Sequence, residues 1–170
     1  MNNQISLLKI IEDTIVDGPG FRTSIYGAGC SHHCKGCHNP LSWHLEDGRF
    51  YNIDAVAEKA LNSSGDVTFS GGDPFYQIDA FTRLAGIIKE KSDKSIWCYT
   101  GYLFEDILKK EKFRQILPFI DVLVDGPFIQ EQLDLDLVFK GSRNQRIIDI
   151  GRSLKYDKIE LFDYNPFPVF

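Results

Sequence analysis

Three of the chain's four cysteines, Cys30, Cys34 and Cys37, follow one another as C-x3-C-x2-C, while Cys98 stands alone. Three thiols this close cannot pair off evenly, and a disulfide framework would spread its cysteines to close longer loops. In a reducing compartment such a group reads as a metal-binding loop. Each cysteine needs only a slight turn of the backbone to aim its sulfur inward. A structural zinc site wants four ligands, so His38 or Cys98 would have to complete it. An iron–sulfur cubane also takes four cysteines as a rule; three leave one iron without a protein ligand, open to a small molecule. All four histidines, His32, His33, His38 and His44, lie in or just after the same stretch. They read more simply as solvent-facing loop residues or partner contacts than as ligands, with His38, beside Cys37, the one nearest the centre. Cys98, between Trp97 and Tyr99, reads as a small core residue.

A second group is Gly71-Gly72-Asp73-Pro74. By itself it is a strand-ending turn. Two glycines at a strand end also let a ligand's polar group meet bare backbone, with Asp73 supplying a carboxylate and Pro74 fixing the chain.

Rigid elements must hold these loops in place. Residues 5–11 and 23–27 have strand character, separated by the turn Asp17-Gly18-Pro19-Gly20, and the second run leads directly into the cysteines. Apolar residues at helical spacing predict helices over 53–62, 78–91 and 103–116. Between and after them, 66–70, 95–100, 120–124 and 146–150 read as strands. Such alternation points to βαβ units and a mostly parallel sheet. The strands end in glycine-bearing turns (Gly27-Ala28-Gly29, Gly71-Gly72, Gly101, Gly126), the end at which α/β folds bind ligands. The cysteine loop and Asp73 are one βα unit apart, so both should face the same mouth. The chain is too short for an eight-unit barrel of ~250 residues. Either an open doubly wound sheet or a partial barrel fits. Gly27-Ala28-Gly29 without a third glycine is weak support for a dinucleotide site.

With 170 residues the chain suits a single domain, 1–170. Its 19 basic and 24 acidic side chains leave a net charge of −5, which argues against a general nucleic-acid binder. No apolar run is long enough to span a bilayer, and the N-terminus lacks the basic region of a signal peptide. A cytoplasmic protein with no membrane association is expected. The cluster of Lys109, Lys110, Lys112 and Arg114 with Glu105, Asp106 and Glu111 reads as a solvated helix face. The tail Leu161–Phe170 is too aromatic for a solvated one and is expected to pack back on the domain.

Taken together, the cysteine spacing after one strand and Gly-Gly-Asp-Pro after the next resemble the radical S-adenosylmethionine enzymes. The resemblance narrows to the activating proteins of the anaerobic ribonucleoside-triphosphate reductase. It rests on Asp17-Gly18-Pro19-Gly20, Cys34-Lys35-Gly36-Cys37-His38-Asn39, Ser70-Gly71-Gly72-Asp73-Pro74, Trp97-Cys98-Tyr99-Thr100-Gly101-Tyr102, Val124-Asp125-Gly126-Pro127-Phe128 and Gly141-Ser142-Arg143-Asn144-Gln145-Arg146. These run in order from about residue 17 to 150. Most of the superfamily has an aromatic residue where this chain has Gly36, and glutamate where it has Asp73; the narrower group resembles this chain in both.

The resemblance implies an α/β fold of the small partial (β/α)-barrel type with mostly parallel strands. It implies one [4Fe–4S] cluster on Cys30, Cys34 and Cys37, with S-adenosylmethionine chelating the fourth iron. Reductive cleavage of that cofactor would give a 5′-deoxyadenosyl radical that takes hydrogen from a glycine of the large reductase subunit, leaving a glycyl radical. A low-potential donor such as flavodoxin or ferredoxin would be the second partner. On this reading Gly71, Gly72 and Asp73 receive the methionine ammonium, and Gly36 and His38, flanking Cys37, lie against the adenine. Thr100 and Asp125 contact the ribose or methionine moiety. Arg143, Asn144 and Gln145 touch either the cofactor or the reductase. The alternatives are an activase of another glycyl-radical enzyme, of the pyruvate formate-lyase type, and a non-enzymatic ferredoxin-like or zinc-binding module.

Overall fold

A computed structural model describes residues 3–164. Seven strands form one sheet in the order β3-β1-β2-β4-β5-β6-β7. They are β1 (Gln4–Thr14), β2 (Arg22–Gly27), β3 (Arg49–Asn52), β4 (Asp66–Gly71), β5 (Ile96–Tyr99), β6 (Val122–Asp125) and β7 (Arg146–Asp149). The central four, β2, β4, β5 and β6, pair in parallel. β1 is antiparallel to both β2 and β3, and β7 to β6, so five of the seven strands point the same way. β3 and β7 lie at opposite edges, and the sheet is open rather than closed on itself.

The two faces of the sheet are covered differently. Alternate residues Val67 and Phe69 of β4, Ile96 and Cys98 of β5, and Leu123 of β6 point to one side. There they meet α1 (Ile53–Asn62), α2 (Ile78–Lys91) and α3 (Phe104–Lys109). Phe69 and Phe81 pack edge to face at its centre, 5.1 Å between centroids. Asn52 starts α1 by accepting from the N–H groups of Asp54 and Ala55. The opposite face carries Trp97, Val122, Val124 and Ile147, covered by Phe139, Phe162 and Tyr164. Within the expected tail, then, Phe162 and Tyr164 do pack back on the sheet; residues 165–170 lie outside the described part of the chain. No helix among the described residues is long and apolar enough to cross a membrane.

The helices over 53–62 and 78–91 and all the expected strands are present, with ends shifted by at most three residues. The helix expected over 103–116 is broken. α3 stops at Lys109, Lys110 is extended (φ −108°, ψ 108°), and a short α4 (Glu111–Arg114) follows. In a straight helix at 3.6 residues per turn, Phe113, Ile116 and Leu117 would sit roughly half a turn away from Phe104 and Ile107. Breaking the helix at Lys110 turns both apolar faces into the core. The Lys110 ammonium then lies over the rings of Tyr102 (4.8 Å) and Phe113 (4.7 Å), while Lys109, Lys110, Lys112 and Arg114 are all exposed, as expected of a solvated face. Strand β3 is exposed at every position and gives no alternation to detect. Helix α5 (Ile150–Tyr156), capped by Asp149 accepting from Arg152 N–H, is likewise absent from the expected elements.

The segment between β1 and β2 crosses the face opposite the helices and is held by Arg22. Its guanidinium is 1% exposed and donates to Thr68 Oγ1 (2.7 Å), Val67 O (2.6 Å), Ser95 O (3.2 Å) and Pro19 O (3.3 Å). It also lies 5.4 Å from the centre of the Trp97 ring. Thr68 Oγ1 passes the connection on to Asp17 O (2.9 Å). Burial lowers the pKa of the guanidinium, opposed by Asp66, and the group remains charged because arginine starts so high. Removing it strands several buried carbonyls. Arg22→Met is expected to destabilise the protein by about 2–4 kcal/mol, seen as a lower urea midpoint at unchanged slope. A variant within 0.5 kcal/mol or so of the parent would show that the guanidinium is not needed.

Candidate functional site

The parallel strands all deliver their carboxyl ends to one rim, and the loops there are fastened edge to edge by backbone. Gly72 N–H donates to Gly27 O (2.8 Å), Asp73 N–H to Gly29 O (2.9 Å), Gly29 N–H to Ser42 O (2.8 Å) and Cys30 N–H to Trp43 O (3.0 Å). This packing leaves no room at Gly72. A Cβ there would meet Gly29 O at 2.4 Å and Ser42 O at 2.8 Å, both immobile backbone atoms. Gly71 next to it takes φ +105°, which favours glycine. The two glycines thus lay the β4 turn flat against the start of the cysteine loop.

Cys30, Cys34 and Cys37 are free and partly buried on that loop. Two left-handed residues, His33 (φ 47°) and Gly36 (φ 74°), alternate with them and bend the backbone between the sulfurs. Desolvation raises the pKa of the Cys30 thiol, and backbone N–H groups of His32 and His33 partly offset it. The N–H of Asn39 points to the Cys37 sulfur at 3.4 Å. No three His, Cys, Asp or Glu side chains among the described residues gather closely enough to hold a single metal ion. Cys98 is fully buried in the main core, where desolvation holds its thiol well above the usual range.

Asp73 is the hub of the rim. Its carboxylate is 2% exposed. Oδ1 accepts from Phe75 N–H (2.8 Å) and Thr100 Oγ1 (3.1 Å), while Oδ2 accepts from Gly101 N–H (3.0 Å) and Thr100 Oγ1 (3.0 Å). His32 Nε2 lies 2.7 Å from Oδ2. His32 was expected to face solvent, but its side chain is only 17% exposed. The reason is the carboxylate behind it and the bare Gly101, where a Cβ would collide with the imidazole at 2.5 Å. His33, His38 and His44 are exposed as expected, His33 stacking on Trp43 (4.7 Å between centroids).

Of the residues singled out from the sequence, Gly71, Gly72, Asp73 and Thr100 meet at this hub, beside the cysteine loop. Asp125 belongs to a separate network. It is fully buried, Oδ2 accepts from Phe104 N–H (2.8 Å) at the start of α3, and both oxygens pair with Arg146. Arg146 reaches on to Glu105 (2.7 and 3.0 Å) and pulls that carboxyl down to about 2. Gly36 and His38 face the stretch after β6. A Cβ on Gly36 would meet the Gln130 side chain at 2.9 Å, and the His38 ring lies 5.1 Å from that of Phe128. Asn144 and Gln145 brace the same stretch, donating to Pro127 O (2.8 Å) and Gly126 O (3.0 Å). Arg143 pairs with Asp134 at the surface (2.9 Å). Gln77 and Gln130, unremarked in the sequence, both contact the site's loops; Gln77 donates to Ser6 O and Ala28 O, each at 2.8 Å. Only its place just past Gly-Gly-Asp-Pro hinted at Gln77.

The 4Fe-4S single cluster domain family matches residues 16–148. Proteins called anaerobic ribonucleoside-triphosphate reductase-activating protein are similar to most of the chain. That of Haemophilus influenzae is 37% identical over 153 residues, 84% of this chain and 97% of its own length. That of Vibrio cholerae is 39% identical over 143 residues, 78% and 90%. The Escherichia coli K12 protein is 33% identical over 141 residues, 77% and 90%.

The contrast between two glycines tests the packing of the rim. Gly72→Ala is expected to cost about 2–3 kcal/mol, since backbone blocks the methyl group. Gly86→Ala, inside α2 and 3.8 Å from its nearest neighbour Phe119, should stabilise by about 0.5–1 kcal/mol. Thermal unfolding of both variants decides; a Gly72→Ala variant as stable as Gly86→Ala would contradict the described contact.

Proposed function

Because the chain belongs to the family of anaerobic ribonucleoside-triphosphate reductase-activating proteins, we propose that Cys30, Cys34 and Cys37 hold its [4Fe–4S] cluster and that the Asp73 rim receives S-adenosylmethionine. The protein is the activase of that reductase, and the reductase is its partner. When bound, the cluster supplies the electron for reductive cleavage of S-adenosylmethionine, the source of the radical that converts a reductase glycine to a glycyl radical.

The residues fit that group. A cubane presents separate irons to separate sulfurs, so three thiols spread around a bent loop suit it better than they suit one tetrahedral ion. The N–H of Asn39, already pointing to the Cys37 sulfur, would stabilise it as a thiolate. Cys98, held in the core with its thiol protonated, is not available as a fourth ligand. The observation that carries the reading is the seating of the cysteine loop directly against the β4 and β5 strand ends. Gly71 and Gly72, which hold the β4 turn against that loop, would receive the ammonium together with Asp73, whose carboxylate is oriented by Thr100 and Gly101. Gly36 and His38 line the side toward Phe128, where an adenine ring would find a flat partner. Asp125 acts from behind, fixing Arg146 and the start of α3. The run β2-β4-β5-β6 with its ligand loops on one rim supports reading the open sheet as a partial barrel of the radical S-adenosylmethionine type. A low-potential flavodoxin or ferredoxin is the electron donor in this proposal, and the cytoplasm, where free thiols persist, its location.

Low-temperature EPR of the anaerobically reconstituted, reduced protein tests the assignment. A reduced-cluster signal that changes shape on adding S-adenosylmethionine is expected, together with 5′-deoxyadenosine on turnover. Cys34→Ala should lose the signal and most of the bound iron. A signal indifferent to the cofactor would indicate a ferredoxin-like carrier, and zinc retained without iron would overturn the cluster itself.

A further inference from the structure

The Asp73 carboxylate has no capacity left. An ionised carboxylate offers about four lone-pair sites. Phe75 N–H and Thr100 Oγ1 fill those on Oδ1, and Gly101 N–H, with a second approach from Thr100, occupies Oδ2 alongside His32 at 2.7 Å. No lysine or arginine among the described residues pairs with this carboxylate. An ammonium group that is to bind Asp73 must therefore replace a donor already there. Two of the present donors are backbone N–H groups, fixed by the turns after β4 and β5. Thr100 is 5% exposed and held at a strand end. His32 is different: it sits on the cysteine loop, and among the described residues its ring makes no other hydrogen bond, only an edge contact with Tyr102 at 4.5 Å and the contact with Gly101.

We propose that His32 is a place-holder on Asp73: its imidazole occupies the acceptor position that the ammonium of S-adenosylmethionine takes, and the cofactor binds by displacing it. This rests on Asp73 being the ammonium acceptor. A buried carboxylate is costly when it lacks donors, so His32 keeps Asp73 satisfied without the cofactor and yields when the ammonium arrives. The exchange also reaches the cluster. His32 stands between Cys30 and Cys34 on the cysteine loop, so a residue that must move for the cofactor is part of the loop that holds the iron. Cofactor binding is thereby registered at the cluster loop through one residue, and His32 is a positioning residue for both.

The test uses cluster-loaded protein, titrated with S-adenosylmethionine and followed by the change in the reduced cluster's EPR signal. His32→Ala should keep its iron and bind the cofactor roughly 3- to 10-fold more tightly, because no competing state has to be emptied. His32→Gln, which retains an N–H donor, should stay near the parent. Without cofactor, His32→Ala should melt at a lower temperature than the parent. In the unaltered protein, anaerobic carbethoxylation read by mass spectrometry should show His32 protected before the cofactor is added and reactive afterwards. Equal or weaker cofactor binding by His32→Ala with full iron content, or a His32 whose reactivity does not rise, would overturn the place-holder. If the parent's own signal ignores S-adenosylmethionine, the cofactor reading itself fails, a different result from either of these.

Discussion

One buried carboxylate, with no lysine or arginine paired to it among the described residues, fixes the relation between the parts of this molecule that do chemistry. Asp73 is held by a backbone N–H from its own turn, by a hydroxyl and a backbone N–H from the end of β5, and by an imidazole from the cysteine loop. In a medium of low polarity each of these bonds is stronger than it would be in water, and the loss of any one leaves charge exposed to apolar surroundings. Three separate segments of the chain are therefore obliged to keep their spacing. The parallel sheet below makes this possible, because only parallel neighbours bring the ends of β2, β4 and β5 to the same rim.

The rest of the sheet follows from the same demand. Among the described residues the helices pack on one face, and the opposite face carries Ser24, Tyr26, Thr68, Trp97 and Tyr99 along β2, β4 and β5, with the aliphatic Val122, Val124 and Ile147 toward the β6–β7 edge. Arg22 at the far end of β2 holds the 15–21 crossing down over that face through hydrogen bonds. Tyr26 donates to Asp17, and burial together with that carboxylate pushes the phenol up, so it stays protonated. A ligand rim at one end and a braced crossing over the same face are consistent uses of a single open sheet.

Much of this was legible in the sequence, and for identifiable reasons. Helices α1 and α2 repeat their apolar residues at helical spacing without interruption, and the strands after them end at glycines. The cysteine loop and Gly-Gly-Asp-Pro declared themselves because their residue types are rare in such spacing. What stayed hidden were properties of distance. Nothing in the order His32-His33 says that one ring turns in to a carboxylate forty-one positions away while the next stacks outside on Trp43. Asp125, at the end of a strand on the same rim, has the position of a ligand residue; its capture by Arg146 depends on the antiparallel pairing of β6 with β7. The break at Lys110 could be read only by asking where the second half of the apolar pattern would point.

The segment between β6 and β7 shows why the motif Gly141-Ser142-Arg143-Asn144-Gln145-Arg146 accompanies the cysteines. The cysteine loop has little order of its own; within it the one backbone bond among the described residues runs from Cys37 N–H to Cys34 O. Its shape is imposed from two sides. On one side His32 meets Asp73. On the other, Gln130 fills the space beside Gly36, Phe128 flanks His38, and Glu131 reaches Lys35 at 3.5 Å. That second wall is itself an irregular stretch, and Gln145 organises it by accepting from Gly141 and Ser142 while donating to Gly126 O. Ser142 in turn accepts from Ile129 N–H, and Asn144 holds Pro127. Side chains near β7 thus set the position of a wall that sets the third cysteine. An aromatic residue at position 36 would have to displace Gln130, and the glycine there is the condition for this wall to close against the loop.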